Sequence, residues 1–458
     1  PLFHAEDGIR DLDSCLVGSE MCIRDRDYID TAFHTRITKR GCRNLDSFLM
    51  TEDVIRHLYH KNTRDAKMAV IEGVMGLFDG AEIGSDTGTT ASIAKILNLP
   101  VVLVVDGSKV AGSIAATVKG YQTFDSNLKV AGVIINRVGS DSHYRLLEEA
   151  ITYHTGLKVY GYLKKDLDIP LQERHLGLVP ATELESLQEY FAGLAEMVEE
   201  TVDMDGLEEL ARLDQDAGLV QDIGLEEAIE GNRIKSLQAL MKRKADFEGL
   251  KVGIARDKAF HFYYEDYLSL LEELGVDMVK VSPIEDRDLP KDLQGLVIGG
   301  GFPEMFAGEL EKNEAFKTSV RERLADGLPY DAECGGLMYL CHELTDLDGK
   351  TFQMVGWFEG STVMTKRLQH FGYASLNLTE KGPLGNKGDA IRIHEFHRSK
   401  SEVSGDTDFH LEKIRNGKVV KSWQGGYRKG QGIGAYAHKH CYSNLSFLEN
   451  FLDTCLVY

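Results

Sequence analysis

DAECGGLMYL, residues 331–340, sets a lone cysteine between an acidic residue and two glycines at the head of an apolar run. The stretch reads as strand, sharp turn and helix, with Cys334 at the bend. A side chain at such a bend sits on a strained backbone, and Gly335 and Gly336 leave it the room it needs. The start of a helix favours a thiolate and aims backbone N–H groups at a developing oxyanion. Taken by itself a C-G-G triplet is more simply a buried cysteine beside a tight turn, so the reading rests on what else the chain supplies.

Two further stretches supply it. GGGFPE (299–304) follows the apolar run LQGLVI. Glycines after a strand can present amides to an oxyanion with no side chain in the way, so Gly300 and Gly301, with Gly335, are the candidate donors. GAYAHKH (434–440) places two histidines near the C-terminus. The pattern predicts a strand ending in His438, the candidate base for Cys334. His440, expected on the same face, would orient His438 or compete with it.

The text around these motifs alternates strand and helix from Leu250 onward: LKVGIARD, FYYEDYLSLLEELG, VDMVKVSP, then LQGLVIGG. The same alternation occupies the first half. MAVIEG (68–73), VVLVVD (101–106) and VAGVIIN (130–136) are β-branched runs separated by the helical stretches TTASIAKIL and AGSIAATVKGYQTF. This predicts an α/β protein with two doubly wound domains, over 27–200 and 250–458. Between them 201–249 reads as a helical linker, the acidic helical text beginning near residue 184. Residues 1–26 fit neither pattern. They read as non-native sequence, GSEMCIRDR resembling translated sequencing-adapter text, or else as an ordinary terminus.

Composition narrows the function. The 458 residues carry a net charge of −21, which argues against nucleic acid as the main partner. No apolar run approaches the ~20 residues of a membrane span, and no signal pattern opens the chain. The seven cysteines show no C-x-x-C and no paired spacing. That fits a reducing, cytoplasmic setting rather than a disulfide framework or zinc knuckle.

In the first half, MAVIEG ends a buried strand with Glu72 at the sheet's carboxyl edge, where ligands gather in open α/β sheets. A carboxylate there suits a magnesium ion bridging nucleotide phosphates. Asp46 is a weaker metal candidate, read first as a helix cap. Ser85, Thr87, Thr89 and Thr90 of GSDTGTTAS cap a helix or line the same pocket. His394 and His397 of HEFHRS have H-x-x-H spacing without a third ligand nearby, which favours a structural or substrate-contacting role over a metal site.

Cys334, GGGFPE and GAYAHKH, in this order and spacing, resemble the glutaminase domain of class I glutamine amidotransferases. More narrowly they resemble the cobyrinic acid a,c-diamide synthase family, in which that domain is fused behind an ATP-dependent amidoligase. DYIDTAFH (27–34), RNLDSF (43–48), IEGVMGLFDG (71–80), INRV (135–138), ERHLGL (173–178) and AECGGLMYL (332–340) extend the likeness over most of 27–458. The resemblance implies an N-terminal P-loop-NTPase-like (dethiobiotin synthetase-like) fold and a C-terminal class I glutaminase-like fold. It implies amidation of acetate side chains on cobyrinic acid, with L-glutamine, ATP and Mg²⁺; a homodimer is left open. It further places Asn136 and Thr89 at the nucleotide, and Asp27, Asp30 and His34 at the corrin near the γ-phosphate. The family also implies a G-x-x-x-x-G-K-[ST] phosphate loop about one strand and one helix before DYID. Residues 1–26 stand in its place, so the chain as written is expected to bind ATP poorly. Two rival readings remain: the same chemistry on hydrogenobyrinic acid or nickel-sirohydrochlorin, or a non-catalytic binding or regulatory protein on this scaffold.

Overall fold

The computed structural model describes residues 14–18, 31, 34–35, 40–64, 66, 68–73, 76–165, 173–174, 177–178, 187–214 and 232–458. The chain divides into two compact units, the first drawn from residues 1–47, 55–80 and 86–229, the second from 48–54, 81–85 and 230–458.

The first unit carries two three-stranded parallel sheets. In one, Val130–Val138 lies between Val101–Asp106 and Lys158–Lys164. Helices Ser113–Phe124 and Asp141–Thr155 cover it, burying Ile114, Val118, Leu147 and Ile151 against Leu103, Val105, Val133 and Ile135. The long helix begins where Ser140 Oγ accepts from His143 N at 3.2 Å and ends at Gly156, φ +73°. These are the cap and the left-handed stop that a free helix end requires.

In the other sheet, Ser14–Gly18 runs between Arg43–Leu45 and Ala69–Gly73. Part of the segment that fits neither sequence pattern is therefore a central strand. A five-residue strand flanked on both sides is specified by its neighbours, and its own text is too short for periodicity to register.

The second unit is built on a ten-stranded sheet. Its first five strands are parallel, in the order Asp277–Val281, Lys251–Ala255, Gly295–Ile298, Tyr330–Glu333, Gly432–Ala435. The other five are antiparallel, and of these only a strand at His438 was expected: Lys418–Lys429, Thr407–Arg415, Phe371–Leu378, Ala390–Phe396 and the two-residue edge strand His438–Lys439. Asn416 and Gly417, both at positive φ, close the hairpin between the two longest of these, the geometry that suits an Asn-Gly turn. The core gathers Leu296, Ile298, Tyr330 and Ala332 of the parallel strands with Leu337, Tyr339 and Leu340 of the helix after Cys334. Helix Asn232–Lys242, in the predicted linker, is part of this unit. Arg243, just after it, bonds Glu449 at 2.8 Å and Asp453 at 3.0 Å on the C-terminal helix.

Candidate active site

Strand Tyr330–Glu333 delivers Cys334 at its carboxyl end, and helix Gly335–Leu340 starts immediately after it. Cys334 has φ +50° and ψ −100°, which for a residue bearing a Cβ costs on the order of 1–3 kcal/mol. The fold holds the strain from both sides. The Cys334 N–H donates to Ala435 O at 2.7 Å, and its carbonyl accepts from Met338 N at 3.1 Å.

The glycines around it each answer a close approach. A Cβ on Gly336 would stand 2.2 Å from Ile298 O, and one on Gly335 would stand 3.0 Å from Pro303 Cδ and 3.2 Å from Gly301 N. A Cβ on Gly300 would stand 2.8 Å from His438 Cε1. Gly301 (φ +155°) presses against Ala259 O, where a side chain would sit at 2.0 Å. The Gly300–Gly301 turn therefore lies against both the head of the Cys334 helix and the His438 imidazole. Every candidate in the second half except His440 converges there.

The histidine segment departs from the single predicted strand. Gly432–Ala435 stays in the parallel half, the chain bends at Tyr436, and His438–Lys439 crosses to pair with Ala390–Phe396. Tyr436 anchors the crossing. Its hydroxyl lies 2.8 Å from Ser399 Oγ and 2.7 Å from Ser401 Oγ, and its ring stacks on His397 at 3.6 Å. His440 falls beyond the strand end. Its Nδ1 accepts from Tyr442 N at 3.3 Å, its Nε2 lies 3.8 Å from Asp266 Oδ2, and its ring packs on Tyr264.

His438 is buried, with His394 directly opposite in the ladder and their ring centroids 6.2 Å apart. Burial, followed by the neighbouring His438, pushes the His394 imidazole down to about 3, so His394 is neutral beside it. His397 belongs to the Tyr436 stack, donating through Nδ1–H to Ser399 O at 2.8 Å.

Sequence reasoning missed a buried ionic group next to this site. Glu333 Oε2 lies 3.7 Å from His438 Nδ1. Lys439 Nζ lies 2.6 Å from Glu333 Oε1 and 3.0 Å from Asp331 Oδ1. Burial works against the Lys439 charge, but the two carboxylates outweigh it and raise its pKa. Burial likewise raises both acids, taking Asp331 to about 6, while for Glu333 the Lys439 ammonium and the nearby His438 win and lower it. The signal was present in D-x-E: alternate residues of a strand share one face, and two buried acids there require a cation.

In the first unit, Glu72 and Asp46 stand at the carboxyl ends of the two strands that flank Ser14–Gly18. Asp46 is buried and follows the strand Arg43–Leu45, not a helix start, so the helix-cap reading fails; the next helix begins at Glu52. His34 Nε2 reaches Glu72 Oε2 at 2.6 Å. Thr90 packs on this strand end, where a Cβ at Gly73 would stand 2.7 Å from its Oγ1. Ser47, next to Asp46, accepts from Gly88 N at 2.8 Å and meets Ser92 Oγ at 2.6 Å. His34, Asp46, Glu72 and the loop before helix Thr90–Ile96 thus share one edge. A half-exposed carboxylate at such an edge fits a magnesium ion, which keeps several waters and takes one or two carboxylates beside phosphate oxygens.

Thr89 caps that helix: its Oγ1 accepts from Ser92 N at 3.0 Å and donates to Asp86 O at 2.7 Å. Asn136 is bound to its own chain through Arg137 N, at 2.8 Å, and pairs with Asp106 on the next strand. Asp27 and Asp30 lie outside the described residues.

Comparison with known proteins agrees with this division. Residues 251–445 match the CobB/CobQ-like glutamine amidotransferase domain, and residues 35–170 match an AAA domain. Three relatives span nearly the whole chain, each named cobyrinate a,c-diamide synthase. That of Streptococcus sanguinis is 43% identical over 93% of this chain and 90% of its own length. That of Listeria innocua is 43% identical over 92% and 89%, and that of Caldanaerobacter subterraneus 39% over 94% and 90%. A strained cysteine at a glycine-lined bend, a histidine brought to the same glycines, and full-length similarity of this degree lead to one assignment: the chain belongs to the cobyrinate a,c-diamide synthase family.

Proposed function

We propose that the chain amidates the a and c acetate side chains of cobyrinic acid, using ammonia cut from L-glutamine and carboxylates activated by ATP with Mg²⁺. The observation that carries the glutaminase half is the Cys334 backbone, held at φ +50° at a strand–helix junction. Strain of that kind persists where function requires it.

In this reading the Cys334 thiolate attacks the glutamine side-chain amide carbon. Amides of the Gly300–Gly301 turn and Gly335 receive the oxyanion. His438 takes the thiol proton and returns it to the departing nitrogen, so ammonia leaves and a glutamyl thioester remains. His438 then takes a proton from water, which attacks the thioester and frees glutamate and the thiol. In the first unit a substrate carboxylate, whose own leaving group would be oxide, takes the γ-phosphoryl group of ATP to become an acyl phosphate and ADP leaves; ammonia then attacks the acyl carbon and displaces phosphate. Glu72, with Asp46, would hold the Mg²⁺, which neutralises phosphate charge. His34 lies beside Glu72 for contact with the corrin near the transferred phosphate.

Two measurements test this. Ammonia release from glutamine is expected from the wild-type chain and lost in Cys334→Ser; equal release from both removes Cys334 from its role. With a G-x-x-x-x-G-K-[ST] segment placed ahead of residue 27, cobyrinic acid, ATP and glutamine should yield mono- and diamide by mass. No mass change under those conditions refutes the substrate assignment.

A further inference from the structure

We propose that Glu333, the residue before the nucleophile, is the positioning carboxylate of the glutaminase site, orienting His438 and itself fixed by Lys439. The inference rests on the glutaminase reading and deepens it.

A histidine that shuttles a proton from thiol to amine needs a defined tautomer and a way to stabilise its charged form, and a carboxylate at the far ring nitrogen supplies both. Glu333 is placed for this. Its Oε2 is 3.7 Å from His438 Nδ1, and Cε1, the ring carbon between the two nitrogens, faces Gly300. The second carboxylate oxygen is fixed by Lys439 Nζ at 2.6 Å and by Lys439 N at 3.4 Å. Asp331, two residues earlier on the same strand face, holds the other side of that ammonium at 3.0 Å. Both Glu333 and Lys439 are mostly shielded, with side-chain exposures of 15% and 7%. An ionised carboxylate without a partner would be costly there.

The alternative orienter, His440, is committed elsewhere: Nδ1 to Tyr442 N and Nε2 toward Asp266. The groups around His438 include Glu333 on the central strand, neutral His394 on the paired strand, Lys439 on its own strand and the Cys334 thiol it serves. Glu333 is the carboxylate among them. In this arrangement the carboxylate accepts no proton. The thiol proton rests on His438 until the departing amine takes it, and Glu333 stays ionised throughout.

The test is glutamine hydrolysis by the full chain across pH, for wild type, Glu333→Gln, Glu333→Asp and the uncharged triple Asp331→Asn/Glu333→Gln/Lys439→Met. Positioning predicts that Glu333→Gln lowers kcat about 100-fold, the low end of what placed proton transfer contributes, with KM changed less than about threefold. The acid limb of the kcat/KM profile should move to lower pH by roughly one unit, because an anion beside the base has gone. Glu333→Asp should recover part of kcat and restore the limb. If Glu333→Gln, which leaves Lys439 with Asp331 alone, fails to fold, the uncharged triple is read in its place and carries the same expectation. A near-wild-type kcat, or a reduced kcat with an unmoved acid limb, overturns the proposal. Cys334→Ser separates the two levels. If it is inactive while Glu333→Gln is unaffected, only Glu333's role fails; if it is as active as wild type, the glutaminase reading fails as well.

Discussion

Gly336→Ala tests how tightly the nucleophile's bend is built. The added Cβ would stand 2.2 Å from Ile298 O and 3.0 Å from the carbonyl carbon, where carbon and oxygen rest about 3.3 Å apart. Roughly 1 Å of movement is needed. The carbonyl cannot supply it, because Gly295–Ile298 is paired on both sides, with Lys251–Ala255 and with Tyr330–Glu333. The helix start must move instead, and Cys334 with it. Overpacking of this kind costs about 1–3 kcal/mol, which for a unit of this size lowers the melting midpoint by about 2–4 °C per kcal/mol. Displacing a reacting group by about 1 Å can cost 100-fold in rate. We therefore expect calorimetry to show a drop of several degrees and ammonia release to fall by at least tenfold. Gly308→Ala is the control. It lies within a helix, its Cβ would meet nothing nearer than Phe352 Cε1 at 3.7 Å, and it should gain about 0.5–1 kcal/mol. A wild-type midpoint and rate in Gly336→Ala would refute the close approach and the account of the bend.

Three further outcomes follow from the same geometry. Cys334→Gly removes about 1–3 kcal/mol of backbone strain and gives back about 0.5–1 in chain entropy, so urea unfolding should find it about 1 kcal/mol more stable than Cys334→Ser, with both inactive. Burial raises Asp331 to about 6 against 3.8 for the free side chain. Between those values the folded chain holds more protons than the unfolded one, so stability falls as pH rises through the window. Denaturation from pH 4 to 7 should show this slope in wild type and its loss in Asp331→Asn. In the chain carrying a G-x-x-x-x-G-K-[ST] segment ahead of residue 27, Glu72→Gln should abolish ATP-dependent amidation while leaving Cys334 reactive toward an electrophilic glutamine analogue, as read by mass of the labelled chain; loss of labelling would show that Glu72 acts on folding instead.

The sequence disclosed the parallel halves readily, because β-branched runs such as VVLVVD and amphipathic helices such as EDYLSLLEELG carry their period openly. Cys334, Gly300, Gly301 and His438 were legible since each has a chemical reason to sit beside glycine or at a strand end. The antiparallel strands were harder. Phe371–Leu378 is buried or half-buried throughout and alternates only from Ala374 onward, and Lys418–Lys429 is mostly polar and exposed at both faces. His440 was misplaced because an i, i+2 spacing implies a shared face only while the strand continues, and this strand stops at Lys439. Glu333 and Lys439 escaped notice because their partnership spans 106 residues of chain. Nothing local distinguishes a buried ionic group from a solvated charge.

The ten-stranded sheet has one further consequence. Strand Tyr330–Glu333 is fourth in its order and His438–Lys439 tenth, with five strands between them, yet Lys439 Nζ touches Glu333 at 2.6 Å. The sheet must curl until its last edge returns to its middle. Ribosomal synthesis completes the cysteine more than a hundred residues before that edge exists, so a partly made polypeptide has a sulfur but no base to drive it. Ammonia production is thereby withheld from unfinished chains, and removing the residues from 437 onward should silence hydrolysis while Ala435, whose carbonyl holds the Cys334 amide, stays in place.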